Sequence, residues 1–170
     1  QKGNLILAAD YSQVELRIMA DFSGDQEMIR AFNQNQDIHT ITASKVFNIP
    51  IEDVDPSMRR KAKEVNFGII YGISPFGLSQ NLNISRAEAK EIIDSYFEKF
   101  KDVKNYMDSI IIKARENKYV ETLLGRRRYL RDIDSRNYTL RSFAERNAIN
   151  SPIQGSAADI IKLSMIEISK

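Results

Sequence analysis

The chain has 170 residues and no cysteine. Neither a disulfide framework nor a thiolate metal site can be built without that residue. No uninterrupted apolar run approaches the length of a membrane span, and the start shows no signal-peptide pattern. Internal repeats and low-complexity segments are absent too. The formal net charge is only +2, with 42% hydrophobic and 28% charged residues. Such values suit one globular domain or two small lobes, large enough to bury a core. The chain begins at Gln1 rather than Met and closes on "MIEISK", which reads as a piece of a longer protein.

The small net charge conceals an asymmetry. Residues 1–57 hold 4 Lys/Arg against 9 Asp/Glu, a balance of −5, and residues 58–170 hold 21 against 14, a balance of +7. An acidic part can hold a metal and a basic part phosphate, although surface charges also scatter unevenly by chance.

Many helices are expected and few strands. "NLILAADYS" reads as a buried strand with polar groups at its carboxyl end. "QVELRIMADF", "DQEMIRAFNQ" and "DIHTITASKVFN" have helical spacing, the last with Asp37 as N-cap. After the connector "IPIEDVDP" comes a helix that runs to Tyr71, followed by the loop "ISPFG" and a short helix "LSQNLN". "SRAEAKEIIDSYFEKF" opens on a capping box, Ser85 with Glu88. "VKNYMDSIIIKAREN" is a long amphipathic helix, and "YVETLLGRRRYL" reads as two short strands around a basic turn. Two helices, "YTLRSFAERNAIN" and "PIQGSAADIIKLSMIEIS", end the chain, separated or kinked at Ser151-Pro152. So few strands make an incomplete sheet. The partners of residues 4–12 lie outside the chain or among its later strands.

The stretch "RRKAKEVNFGIIYG", residues 59–72, carries Arg59, Lys63, Phe67 and Tyr71 at a constant spacing of four. On a helix these side chains form one slowly spiralling stripe. Pro56 suits the first helical turn and Gly72 a C-terminal cap. A core stripe is apolar throughout, whereas this one has cations at one end and rings at the other. The mixture suits a ligand that is anionic at one end and flat at the other, such as a nucleoside triphosphate. Phe67 and Tyr71 packed inward, with Arg59 and Lys63 at a wet end, is the competing reading.

"DYSQVELR" sets Asp10 at a strand's carboxyl end, where sheets of the α/β type place functional groups. A helix cap is the plainer role for a lone Asp. Glu15 follows five residues on. Two carboxylates so placed suggest a Mg²⁺ site shared with substrate phosphates, because magnesium takes one or two protein carboxylates and otherwise hard oxygens.

Together, "DYSQVELR" and "RRKAKEVNFGIIYG" closely resemble the first two polymerase motifs of the family A DNA polymerases, the bacterial DNA polymerase I type. "RNAINSPIQGSAAD" resembles the late palm helix of that family. The order and approximate spacing agree over essentially the whole chain. The resemblance implies an α+β, predominantly helical fold, with a helical fingers subdomain inserted in an incomplete palm sheet. Palm would occupy 1–22, fingers 23–135 with the nucleotide-binding helix near 57–71, and palm again 136–170.

The resemblance also implies roles. Arg59 and Lys63 would hold the dNTP triphosphate, with Lys63 able to protonate the leaving pyrophosphate. Phe67 would lie against sugar and base, and Tyr71 at the insertion site. His39, the only histidine, would touch the triphosphate, although a plain polar position on a helix is the alternative. Asp10 would ligate both catalytic Mg²⁺ ions and Tyr11 would add its backbone carbonyl. Glu15 would fill the space of a ribose 2′-hydroxyl, which makes the product DNA. Arg146, Asn150 and Gln154, again four apart, would face the minor groove of primer–template DNA, where similar acceptors report pair shape rather than sequence. "SPIQ" also reads as a capping box, with Gln154 at its third position. "GRRRYLR" is either a grip on template phosphates or a solvated turn.

The implied reaction is template-directed addition of dNMP to a primer 3′ end in DNA replication and repair, by a cytoplasmic enzyme with no membrane partner. The family's second metal-binding Asp and its thumb are not in these 170 residues, so the piece alone should be inactive. A single-subunit RNA polymerase relative and a non-catalytic nucleic-acid-binding module are the alternatives. Glu15 and the "DYSQVELR" pattern oppose the first.

Overall fold

The computed structural model describes residues 8–169. Among them are eight α-helices and one antiparallel hairpin, a predominantly helical α+β arrangement. The strand expected over residues 4–12 lies partly outside the described residues; residues 8–10 are irregular and exposed.

Three helices open the described chain: α1 (Val14–Ser23), α2 (Gln26–Asn33) and α3 (Ile38–Phe47). Asp37 caps α3 as expected, accepting from the His39 N–H at 3.1 Å. A 3-10 turn at Ile51–Asp53 leads to α4 (Pro56–Ile70). The start of α4 is fixed twice. Asp55 accepts from the Ser57 and Met58 amides, and Pro56 occupies the first turn, where no N–H is needed.

The expected loop "ISPFG" is shorter than read, because α5 (Pro75–Leu82) already includes Pro75, Phe76 and Gly77. Ser74 caps it through the Gly77 amide at 3.1 Å, and Pro75 takes the first helical position. Ser85 caps α6 (Arg86–Lys99) by accepting from Glu88 N–H at 3.1 Å. Fully buried Phe100 joins it to α7 (Lys101–Asn117). Strands β1 (Tyr119–Glu121) and β2 (Arg127–Tyr129) pair antiparallel, Val120 opposite Arg128.

The two helices expected at the end are one, α8 (Tyr138–Ile168), which passes through Pro152. Ser151 is therefore no N-cap. Its hydroxyl is sealed without a partner, as is the Asn150 side-chain nitrogen. Pro152 is buried, and packing on both sides holds the helix together where proline removes a backbone donor.

Two apolar clusters organise the chain. The larger joins α1, α3, α4, α6 and α7 through side chains such as Leu16, Ile38, Ile69, Tyr96 and Val103, and reaches Ile149 and Ile153 on α8. Each such side chain contributes about 1.5–3 kcal/mol on burial. The smaller binds the hairpin to the end of α7 and the start of α8 through Ala114, Val120, Leu130, Ile133, Ala144 and Ala148. Ile110 and Ile111 pack against both.

Candidate functional site

Helix α4 turns its small and apolar face inward. Ala62, Val65, Asn66, Gly68, Ile69 and Ile70 are buried. The stripe lies on the other side: Arg59 and Lys63 are exposed, Phe67 is half-buried at the core's edge, and Tyr71 is 42% exposed. The inward-packing reading thus fails for Tyr71. Rings and cations share an open face.

At the cationic end, Arg59 donates from Nε to Asp37 Oδ2 at 2.5 Å. Burial works against a charge on Asp37, but Arg59, the Thr40 hydroxyl and the His39 amide outweigh it and hold the carboxyl below its usual range. Lys63 makes no hydrogen bond or ion pair among the described residues, which leaves its ammonium open to a ligand.

His39 is only 3% exposed. Its Nδ1 lies 3.0 Å from the Asn66 amide nitrogen, which also meets the Thr42 hydroxyl at 3.0 Å. Burial lowers the imidazole pKa; Asp37 opposes that shift, and Arg59 and Lys63 add to it. The ring centroid is 5.9 Å from that of Phe67.

At the aromatic end, three distant segments meet. The Tyr71 hydroxyl donates to Glu15 Oε2 of α1 at 2.9 Å, and the Gln154 side chain of α8 lies near enough to act on the phenol. Burial raises the phenol pKa; Gln154 works against that, and the Glu15 charge adds to it. Gly72 follows with φ +66°, and a Cβ there would stand 2.8 Å from Arg146 Cγ. This close approach brings the end of α4 against α8. Arg146 itself donates to the Ser142 hydroxyl at 2.9 Å. Between the elements lies a cleft of about 430 Å³, lined by Phe67, Tyr71, Gly72, Ser74, Asn81 and Arg146.

Asp10 and Tyr11 precede α1 and are exposed. Asp10 bonds to none of the described residues, and the Tyr11 hydroxyl is 2.6 Å from that of Ser164 on α8. No group of three or more His, Asp or Glu able to hold a metal occurs among the described residues.

The basic turn is not simply solvated. Arg126 donates from Nε to buried Asp159 at 2.5 Å and from Nη2 to the Gly155 carbonyl at 2.9 Å. Thr122 donates to Asp159 at 2.6 Å, and the Leu123 amide to Ser156 at 2.8 Å. The Thr122 hydrogen bond, ahead of Arg126, holds the Asp159 carboxyl below its usual range against burial. Arg127 pairs with Glu121, whereas Arg128 stays exposed.

Sequence reading missed Thr42 and Asn66, the pairing of Asp37 with Arg59, and the clamp Thr122, Arg126 and Asp159. Thr42 stands three residues after His39 on one helix face, and that was the available signal. Asn66 comes from another helix, which no spacing reveals.

The family model of DNA polymerase family A matches residues 1–170. Over 168 residues the chain is 58% identical to DNA polymerase I of Streptococcus pneumoniae serotype 4, covering 98% of this chain and 19% of that protein. DNA polymerase I of Geobacillus stearothermophilus is 60% identical over 165 residues, 97% of this chain and 19% of that one. Among solved structures, the POL domain of Pol1 from M. smegmatis, in complex with DNA primer-template and dNTP, superposes with a TM-score of 0.89 at 49% identity. That match covers 94% of this chain and 28% of the other. The chain belongs to DNA polymerase family A. It spans about a fifth of the length of these curated relatives.

Proposed function

We propose that this chain supplies the fingers and part of the palm of a DNA-directed DNA polymerase, which adds dNMP from dNTP to a primer 3′ end against a template. The observation that carries the reading is the meeting at Tyr71. The α4 stripe ends on a hydroxyl that donates to Glu15 of the first motif, and Gly72 beside it meets Arg146 of the third motif. The relationship to DNA polymerase I proteins and to a polymerase bound to primer-template and dNTP supports it. Residues 1–22 and 136–170 fall to the palm and 23–135 to the fingers in this reading.

Arg59 and Lys63 bind the triphosphate. Asp37 takes only Nε of Arg59, so the two terminal nitrogens are left for a phosphate fork. Lys63 is placed to give a proton to the leaving pyrophosphate. Phe67 lies against the nucleotide sugar, and Glu15 occupies the space of a 2′-hydroxyl. Arg146, Asn150 and Gln154 face the primer–template, and the side chains of Arg146 and Gln154 are exposed for that role.

The donor set fits magnesium in part. Asp10 offers an exposed hard carboxylate, unpaired among the described residues, and Tyr11 a backbone carbonyl. Bound Mg²⁺ held in part by Asp10 and Tyr11 would supply charge stabilisation to the phosphoryl transfer. Asp10 and Tyr11 are this chain's share of the site. The 170 residues alone, a fifth of the relatives' length, are expected to be a poor catalyst. The relationship to bacterial DNA polymerase I proteins supports a cytoplasmic enzyme. Separately, no helix among the described residues is long and apolar enough to cross a membrane.

The test is single-nucleotide incorporation by the intact protein carrying this chain. Charged hydrogen bonds contribute about 1.5–3 kcal/mol, so Arg59→Ala or Lys63→Ala should each cost roughly tenfold or more in kcat/KM for dNTP. Unchanged values in both variants would remove the stripe from nucleotide binding.

A further inference from the structure

His39, Asn66 and Thr42 form a buried polar set between α3 and α4, at 3%, 0% and 0% exposure. Such groups are costly in a core unless they satisfy one another. Thr42 Oγ1 lies 3.1 Å from Asn66 Oδ1 and 3.0 Å from Asn66 Nδ2, and the same Nδ2 reaches His39 Nδ1 at 3.0 Å. An amide nitrogen has only protons to give, so the imidazole nitrogen facing it must accept. A neutral imidazole that accepts at Nδ1 carries its proton at Nε2. Among the described residues nothing bonds Nε2, and it is not one of the sealed polar atoms without a partner. It is therefore a donor with capacity to spare.

We propose that Asn66 is a positioning residue that fixes His39 as the Nε2-protonated tautomer and thereby aims a neutral donor at the nucleotide phosphates. The nucleotide clause rests on the polymerase reading above; the tautomer clause rests on the contacts alone. The arrangement solves a problem of the site. Asp37, Arg59 and Lys63 are the charged groups that bear on the ring from α3 and α4. A third cation beside Arg59 and Lys63 would be repelled, whereas a neutral N–H adds a hydrogen bond without that cost. Asn66 stands between Lys63 and Phe67 in the chain but on the buried face of α4. The helix that carries the cations thus also sets the imidazole.

The experiment uses the intact protein with ¹⁵N-labelled histidine, the His39 signals being assigned by their loss in His39→Gln. In the unaltered protein at neutral pH, Nε2 should read as the protonated nitrogen and Nδ1 as the bare one. Asn66→Asp places an acceptor where the donor was, so the proton should move to Nδ1. The dNTP KM should then rise about fivefold, the effect of one neutral hydrogen bond, with primer–template affinity unchanged. A protonated Nδ1 in the unaltered protein overturns the proposal whether or not the variant folds. So does a moved proton with an unchanged KM. Failure of the unaltered protein to extend any primer would instead overturn the polymerase reading, and the tautomer signals would still answer for Asn66.

Discussion

Phe67 shows how a single side chain carries the account. It is half-buried, its ring near His39 and its edge on the core. A phenyl ring offers no hydroxyl in place of a missing sugar 3′-OH, so dNTP should be strongly preferred over dideoxynucleotide. Phe67→Tyr adds a group able to make a hydrogen bond of about 1 kcal/mol or more. The ddNTP:dNTP discrimination measured by single-nucleotide kinetics should fall sharply, with stability nearly unchanged. Lost stability with unaltered discrimination would make Phe67 a core residue only. Glu15→Ala opens space beside the sugar and removes the Tyr71 acceptor, so ribonucleotide incorporation should rise; an unchanged rNTP:dNTP ratio would remove Glu15 from sugar selection. His39 sets a pH dependence. Its folded pKa is depressed, first by burial, so below the ordinary imidazole value of about 6.5 the unfolded chain takes up a proton that the folded chain refuses. Stability in urea should be full above that value and decline as pH falls through it, and His39→Gln should flatten this part of the profile. Spacing by four made the stripe legible in sequence. The partners of Arg59 and His39 were not, because Asp37 is 22 residues from the one and Asn66 27 from the other.

Among the elements, two Ser-Pro pairs teach opposite lessons. Ser74-Pro75 begins a helix, and Ser74 accepts the Gly77 amide. Ser151-Pro152 has the same local chemistry but lies inside α8, where Ser151 accepts nothing. Burial of Ala148, Ile149, Pro152 and Ile153 makes the difference, because the packing gained by one continuous helix outweighs a lost backbone bond. Local caps could foretell the starts of α3, α4 and α6, whereas tertiary override could not be read locally. The seat of the hairpin on α8 is likewise a long-range fact. Gly155 lets Thr122 approach so closely that a Cβ would stand 2.4 Å from Thr122 Cγ2. Gly155→Ala should therefore cost about 1–3 kcal/mol through overpacking. Thr122→Ser removes the methyl and keeps the hydroxyl for Asp159, so the double variant should recover most of the loss. Denaturant unfolding of the four proteins measures this coupling, and additive losses would contradict the proposed contact.

At the scale of the whole molecule, the acidic and basic parts of the chain do not stand apart. Asp37 of the first part pairs with Arg59 of the second, and Glu15 receives Tyr71. The predominantly helical fold agrees with the helical spacing read along the sequence. The meeting of the three motifs required the folded chain. The most direct measurement is template-directed single-nucleotide extension by the intact protein, in the unaltered form and as Asp10→Asn, with primer–template affinity measured in parallel. The account predicts that the unaltered protein adds the dNTP complementary to each templating base, and that Asp10→Asn binds DNA nearly as well but adds no nucleotide. Near-normal turnover by Asp10→Asn, or incorporation indifferent to the template, would contradict it.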